Sequence, residues 1–223
     1  KGRLPFVRTD QSRYLRSTDD PRISYLILNS YYKLPLEIYG KFSFGYLEEM
    51  YAGISGEILY FPNKSNIAFG GEVNYVKPRD YNQQFGLRSI DGMANLNGHV
   101  SSYWDTNFYD YTAQIDYGKY LAGDIGNTLT VTRNFPNGWK VGGFFSITDA
   151  TFDSFGEGSF DKGFFFRIPF NPFNPYETRS GFSHVIRPLS GDGGARINIT
   201  RLYDTVSKYS INNFDNTWSR VWR

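Results

Sequence analysis

From residue 117 to residue 170 the chain alternates between apolar and small polar positions, in three runs separated by glycine-rich turns. Leu129, Val131, Arg133 and Phe135 fall on one face, and Thr128, Thr130 and Thr132 on the other. Asn137-Gly138 follows at once, after which Trp139, Val141, Gly143, Phe145 and Ile147 share a face. An Asn-Gly pair between alternating runs predicts a tight hairpin, because both residues tolerate the positive φ of a type I′ turn. The same period predicts strands over 25–34, 36–46, 54–61, 67–77, 96–104 and 109–121, with a longer loop over 78–95. Within 36–46, Leu36, Ile38, Phe42, Phe44 and Tyr46 oppose Glu37, Lys41 and Ser43. Pro172, Pro175 and Pro188 interrupt the pattern, so 170–193 reads as a proline-rich loop inside the domain. Residues 195–202 are expected to return as a closing strand, which gives a β domain over 1–203 and a weakly patterned tail over 204–223.

Many strands of about ten residues, without a helical period, predict an all-β antiparallel meander; strands of that length suit a tilted membrane strand. Threonine, glycine and asparagine on one side and large apolar groups on the other are what a sheet carries between hydrocarbon and water. The expectation is that Leu36, Ile38, Phe42, Phe44, Leu129, Val131, Val141, Phe145 and Ile147 point outward. Lys41, Ser43, Thr128, Thr130, Thr132 and Thr148 would then point inward. A soluble sandwich has the same period, so the pattern alone leaves that alternative open. The side on which the apolar residues lie separates the two. Aromatics near strand ends (Tyr31, Tyr32, Tyr60, Phe61, Trp104, Tyr120 and Phe135) read either as interfacial girdles or as cross-strand pairs or core residues of a soluble sheet.

Composition narrows this only a little. The chain has 223 residues, enough for one substantial domain. Aromatics make up 19%, with 20 Phe and 18 Tyr, while hydrophobic residues total only 40%. With a mean hydropathy of −0.47, this is natural for a barrel, in which only alternate residues face lipid. The net charge is +2, with acids and bases interspersed, and gives no reason to invoke nucleic acid. Cysteine is absent, which removes disulfides and cysteine-based metal sites. No run of 18 apolar residues offers a transmembrane helix. The chain begins at Lys1 with no signal-like apolar segment, so an export signal is expected upstream.

Several long phrases resemble the YjbH/GfcD-like family: EEMYAGISGEILYFP (48–62), GHVSSYWDT (98–106), GKYLAGD (118–124), TRNFPNGWKVGGFF (132–145), FGEGSFDKGFFFRIPF (155–170) and RPLSGDGGARINI (187–199). They occur in order across about residues 20 to 203 and resemble the C-terminal part of that family. Pattern and resemblance together lead to the expectation of an antiparallel up-and-down transmembrane β-barrel, or the greater part of one, of about 8 to 12 strands, and the resemblance implies the outer membrane of a Gram-negative bacterium. Further β structure, a second barrel included, would lie upstream. It also implies a part in the secretion or assembly of exopolysaccharide or capsule. The partners would be outer-membrane lipid, an acidic or neutral polysaccharide and other envelope secretion proteins.

Catalytic patterns are weak. Glu157 and Asp161 could be offered as the acid pair of a glycosidase, but turn chemistry explains Gly-Glu-Gly and Asp as well. Glu48 and Glu49 are adjacent and would face opposite sides of a strand. His99 and His184 are isolated, so neither a metal nor another cofactor is expected. Gly191-Asp192-Gly193-Gly194 reads as a tight turn, because it lacks the Lys and Ser of a phosphate loop. Arg133 and Arg167 each interrupt an apolar run, either as snorkelling strand ends or as lumen charges. The candidate lumen or rim charges for polymer contact are Lys119, Asp124, Arg133, Glu157, Asp161, Arg167, Arg187 and Arg196, set near strand ends and turns in the phrases quoted above. The expected role is a passive polar conduit or docking platform; a soluble periplasmic carbohydrate-binding sandwich and an envelope glycosidase are the alternatives.

Overall fold

The computed structural model describes residues 4–16, 21–135, 138–150, 160–169, 181–187 and 191–207. Ten strands form one sheet: β1 (Leu26–Leu34), β2 (Ile38–Tyr46), β3 (Tyr51–Tyr60), β4 (Ile67–Pro78), β5 (Leu96–Asp105), β6 (Tyr111–Lys119), β7 (Ile125–Asn134), β8 (Lys140–Thr148), β9 (Asp161–Pro169) and β10 (Gly181–Ile186). Every strand pairs antiparallel with its neighbour in sequence. The expected up-and-down all-β architecture is therefore present. β1 and β10 are not paired with each other, so the sheet is open where a closed barrel was expected. Two short helices, α1 (Gln11–Leu15) and α2 (Leu202–Val206), complete the ordered elements. Among the described residues no helix is long and apolar enough to cross a membrane.

The two faces of the sheet are reversed relative to a soluble protein. Phe44, Val73, Val100, Ile115, Ile147 and Phe164 are exposed. Lys41, Ser43, Ser55, Glu72, Asn74, Ser101, Asp116, Thr128 and Ser146 are buried. Successive residues of a strand point to opposite faces, so one face is an apolar surface and the other a buried polar interior. Among the described residues no second sheet packs on either face, and the apolar residues lie on the outside, opposite to the arrangement a sandwich needs. The expected outward and inward sets follow this division, except Leu36. That residue sits at φ +62° in the turn between β1 and β2, not in a strand. Its neighbour Glu37 also has positive φ, so the turn extends through residue 37 and β2 begins two residues later than the alternation suggested.

Three further expectations are corrected. Residues 195–202 do not return as a strand; 191–200 are irregular, and α2 begins at Leu202. The 170–193 segment is not all loop, since β10 lies within it. Among the described residues this six-residue strand pairs only with β9, at an edge where nearby prolines are tolerated. Two of the supposed girdle aromatics turn inward: Tyr120 is fully buried, and Phe61 packs against Tyr203. Tyr31, Tyr32, Tyr60 and Trp104 are exposed.

One end of the sheet is capped. The connections 47–50, 79–95 and 120–124 meet the N-terminal segment there. Val7, Tyr14, Leu47, Met50, Val76 and Leu121 form the apolar core of this cap. Arg79 is its knot: the guanidinium is fully buried and donates to the carbonyls of Ile23 and Gln83 at 2.7 Å each and of Glu48 at 3.2 Å. Burial lowers its pKa from the ordinary value. The other end carries shorter turns. Phe135 N donates to Trp139 O at 2.8 Å and Gly138 N to Phe135 O at 2.9 Å. Gly138 has φ +87°, as the hairpin expectation requires; its partner Asn137 lies outside the described residues.

Candidate functional site

The buried polar face encloses a segment of the chain itself. Residues 191–202 run from the cap, where Asp192 sits, to the turn end, where Leu202 packs against Leu59, Ala68 and Tyr103. After a turn at 192–194, with Gly194 at φ +70°, its contacts run from cap to turn end, so the segment threads the interior. Along the way it meets Ser146 of β8, Asp116 of β6, Glu72 of β4, Glu57 of β3 and Lys41 of β2. The sheet thus wraps its polar face around this segment.

Because the segment crosses the strands and does not pair with an edge, its backbone donors need side-chain acceptors. Carboxylates of the wall and cap supply them. Gly194 N donates to Asp124 Oδ2 at 2.8 Å, Asn198 N to Glu48 Oε2 at 3.0 Å, and Leu202 N to Glu57 Oε1 at 2.8 Å. Lys41 Nζ donates to Thr200 O. At the cap, Asp192 turns the other way. Its Oδ1 accepts the backbone N–H groups of Val7, Arg8 and Thr9 at 2.8, 2.7 and 3.0 Å.

The centre is a charge cluster. Arg196 Nη2 lies 2.9 Å from Glu72 Oε1, and Arg196 Nη1 lies 2.8 Å from Asp116 Oδ2. Arg201 Nη1 reaches Glu72 Oε2 at 2.5 Å, and His99 Nδ1 lies 3.0 Å from Glu72 Oε1. Asp116 also accepts Ser101 Oγ–H at 2.5 Å. Near the cap, burial raises the pKa of Asp124, against the opposing pull of the Gly194 N–H. Among the described residues no group of three or more His, Cys, Asp or Glu side chains is arranged to hold a metal.

The candidate charges divide accordingly. Arg196 and Asp124 belong to the interior. Asp161 opens β9 on the buried face, with Arg187 Nη1 at 3.3 Å. Arg187 also lies over the Phe144 ring, 4.9 Å from its centroid. Arg167 shares the parity of Asp161 and faces inward, opposite Lys140 of β8 and Ser183 of β10. Arg133 has the opposite parity; it ends β7 on the outer side, its guanidinium 4.7 Å from the Phe135 ring centroid. Lys119 ends β6, exposed, and lines a cap-end cavity of about 300 Å³ with Asp124 and Asp149. Glu157 lies outside the described residues. With its carboxylate buried and held by Arg187, Asp161 does not face an open cleft as a glycosidase acid must.

Sequence reasoning missed Glu48, Glu57, Glu72, His99 and Asp116 as one constellation. The available signal was an acid at inward positions of β3, β4 and β6, together with two arginines at 196 and 201.

Residues 1–208 match a family model described as "Exopolysaccharide biosynthesis protein YbjH". The chain is similar to "Uncharacterized lipoprotein YjbH" of Escherichia coli (strain K12), with 36% identity over 211 residues. The alignment covers 94% of this chain and 30% of that protein. The chain therefore spans less than a third of the length of this relative. No solved structure matches it.

Proposed function

Because the chain belongs to the YjbH family of exopolysaccharide biosynthesis proteins, we propose that it is the membrane-embedded part of an outer-membrane protein that assists polysaccharide export. It would act as a docking platform at the bacterial surface and carry out no covalent step. The single observation behind this reading is the reversed sheet, apolar outside and polar inside. In water that outer surface would be a large unpaired apolar area; in lipid it is the ordinary exterior of a spanning sheet.

On this reading β10 joins β1 and the sheet closes. Ten is an even number, so β1 and β10 run in opposite directions, as antiparallel closure needs. Most residues of both edge strands are exposed, on either face, and lipid tolerates no open edge. Of conduit and platform, the threaded interior favours the platform, since residues 191–202 occupy the space a polymer would cross. The name of the Escherichia coli relative, a lipoprotein, fits an envelope location for this protein as well.

The test uses the full-length protein expressed with its own export signal. Outer-membrane fractionation and a heat-dependent shift in gel mobility are expected, together with loss of surface polysaccharide on gene deletion. Release of the protein as a soluble periplasmic species without detergent would overturn the membrane assignment. Normal polysaccharide in the deletion strain would overturn the role.

A further inference from the structure

The outer face of the sheet carries charge of one sign. Cross-strand partners share a face, so the register assigns every strand position to one side or the other. Carried from β1 to β10, it places no Asp or Glu on the outer face. The acids within strands, Glu57, Glu72, Asp105, Asp116 and Asp161, all have the inward parity. The lysines and arginines of the outer face are Lys77, Lys119, Arg133 and Lys162.

Three of these four stand at the cap rim. Lys77 is the last residue but one of β4, Lys119 the last of β6 and Lys162 the second of β9. All three are exposed. Arg133 stands at the opposite rim, near the end of β7. The side chains lean away from the middle of the face. Lys162 Nζ lies 4.7 Å from the ring centroid of Phe160, which precedes β9, and the Arg133 guanidinium lies as close to the ring of Phe135, beyond β7. Reaching for water explains why charges sit at the rims. It does not explain their sign, because an acid on the lipid side of a barrel strand costs less than a lysine. A face that keeps the costlier sign and holds none of the cheaper one has an anionic neighbour.

The cap also carries the 79–95 connection, longer than the turns at the other end, and long connections of outer-membrane barrels face outward. We propose that the cap rim lies in the outer leaflet and that Lys77, Lys119 and Lys162 form a band that grips the phosphate groups of its glycolipid, lipopolysaccharide. A lysine ammonium is a point charge on a flexible stem and follows a mobile phosphate without fixed geometry. The proposal rests on the outer-membrane reading above and adds to it a lipid partner and an orientation.

The experiment titrates the full-length protein, in a non-ionic detergent, with lipid A, and follows the temperature at which the folded gel mobility is lost. Lipid A should raise that temperature, lipid A stripped of its phosphates should not, and added salt should weaken the effect. Each lysine near an anionic lipid surface contributes about fivefold, so changing all three to Gln should raise the half-saturating concentration about a hundredfold. Changing all three to Arg should preserve binding, and Arg133→Gln, at the opposite rim, should bind as the parent does. Lys77→Gln and Lys162→Gln alone should each weaken binding about fivefold, and they give the answer if the triple variant fails to fold. On intact cells a membrane-impermeant maleimide should label Phe85→Cys, in the cap connection, and leave Asn63→Cys, at the turn end, unlabelled. Equal protection by dephosphorylated lipid A, parent-like affinity in the folded Gln variants, or the reverse labelling overturns the band. Equal protection by phosphatidylglycerol, lost with the same lysines, overturns the choice of lipid. Each of these results leaves the outer-membrane assignment standing, whereas release of the protein without detergent removes both.

Discussion

Replacing Arg196 with methionine isolates the energetic centre of the interior. The substitution keeps the length and apolar stem of the side chain and removes its charge. Glu72 retains Arg201 at 2.5 Å and His99 at 3.0 Å. Asp116 keeps the Ser101 hydroxyl and the Gln114 amide but loses the cation at 2.8 Å. Were this a surface pair, the loss would be at most about 1 kcal/mol. The Asp116 side chain is only 2% exposed, so the relevant case is a buried charge stripped of its partner, which costs about 3–5 kcal/mol. At 1.4 kcal/mol per factor of ten, the threaded segment should open about a hundredfold to several thousandfold more often. Trypsin reads this directly, because Arg201 is a cleavage site that the wall shields and that remains in the variant. When opening is rapid compared with cleavage, the rate of cutting follows the open population. Cleavage after Arg201 in the detergent-solubilised full-length protein should accelerate by that factor. Asp116→Asn added to Arg196→Met should slow it again by removing the stranded charge. If Arg196→Met is cut at the parent rate, or the double variant is cut no more slowly than the single one, the account of the interior is wrong.

Asp124 tests pH. Its folded pKa is raised, so the stability it contributes is fully present below the ordinary carboxylate value of about 3.9 and is lost as pH rises through the folded value. The denaturation midpoint of Asp124→Asn should therefore be flatter than the parent's as pH rises from about 4 through that value, and parallel curves would refute this. Arg79→Met strands at least three carbonyls around a buried cavity, and unsatisfied acceptors cost about 1–3 kcal/mol each. It should expose the 79–95 connection to protease while β5–β9 keep their protection, whereas an unchanged digest would show that the knot is dispensable. Gly138→Val forces a β-branched residue to φ +87°, a strain of about 1–3 kcal/mol, and should lower the yield of heat-modifiable protein; full yield would count against the hairpin.

The hairpins from β2 to β8 were legible because alternation is a local property, and in each of them one face meets the interior. The 195–202 segment shows where that logic fails. Its alternation is real: Ala195 and Ile197 pack in the cap cluster with Ile199 against it, while Arg196 turns to the wall. A segment threaded through a polar interior has two sides to satisfy, just as a strand does, and the same period results. β10 was lost for the opposite reason: six residues flanked by prolines carry too little pattern, and only pairing with β9 gives them their extended form. The charge cluster had no local signature at all. Glu72 and His99 are 27 residues apart and meet because β4 and β5 place them opposite each other. Asp116 enters through the pairing of Ser101 with it across β5 and β6. Register of this kind is a property of the assembled sheet.

The threaded segment also imposes an order in time. Glu48, Glu57, Glu72, Asp116 and Asp124 are all synthesised before the residues that satisfy them, Arg196, Arg201 and the donors of 194, 198 and 202. A chain that has been made only as far as β9 has an interior lined with carboxylates and missing two of its cations. Enclosing that wall in lipid at such a stage would trap unpaired charge away from water. The interior becomes neutral enough to bury only when residues 194–202 have passed through it, so seating this segment has to precede or accompany any enclosure of the wall.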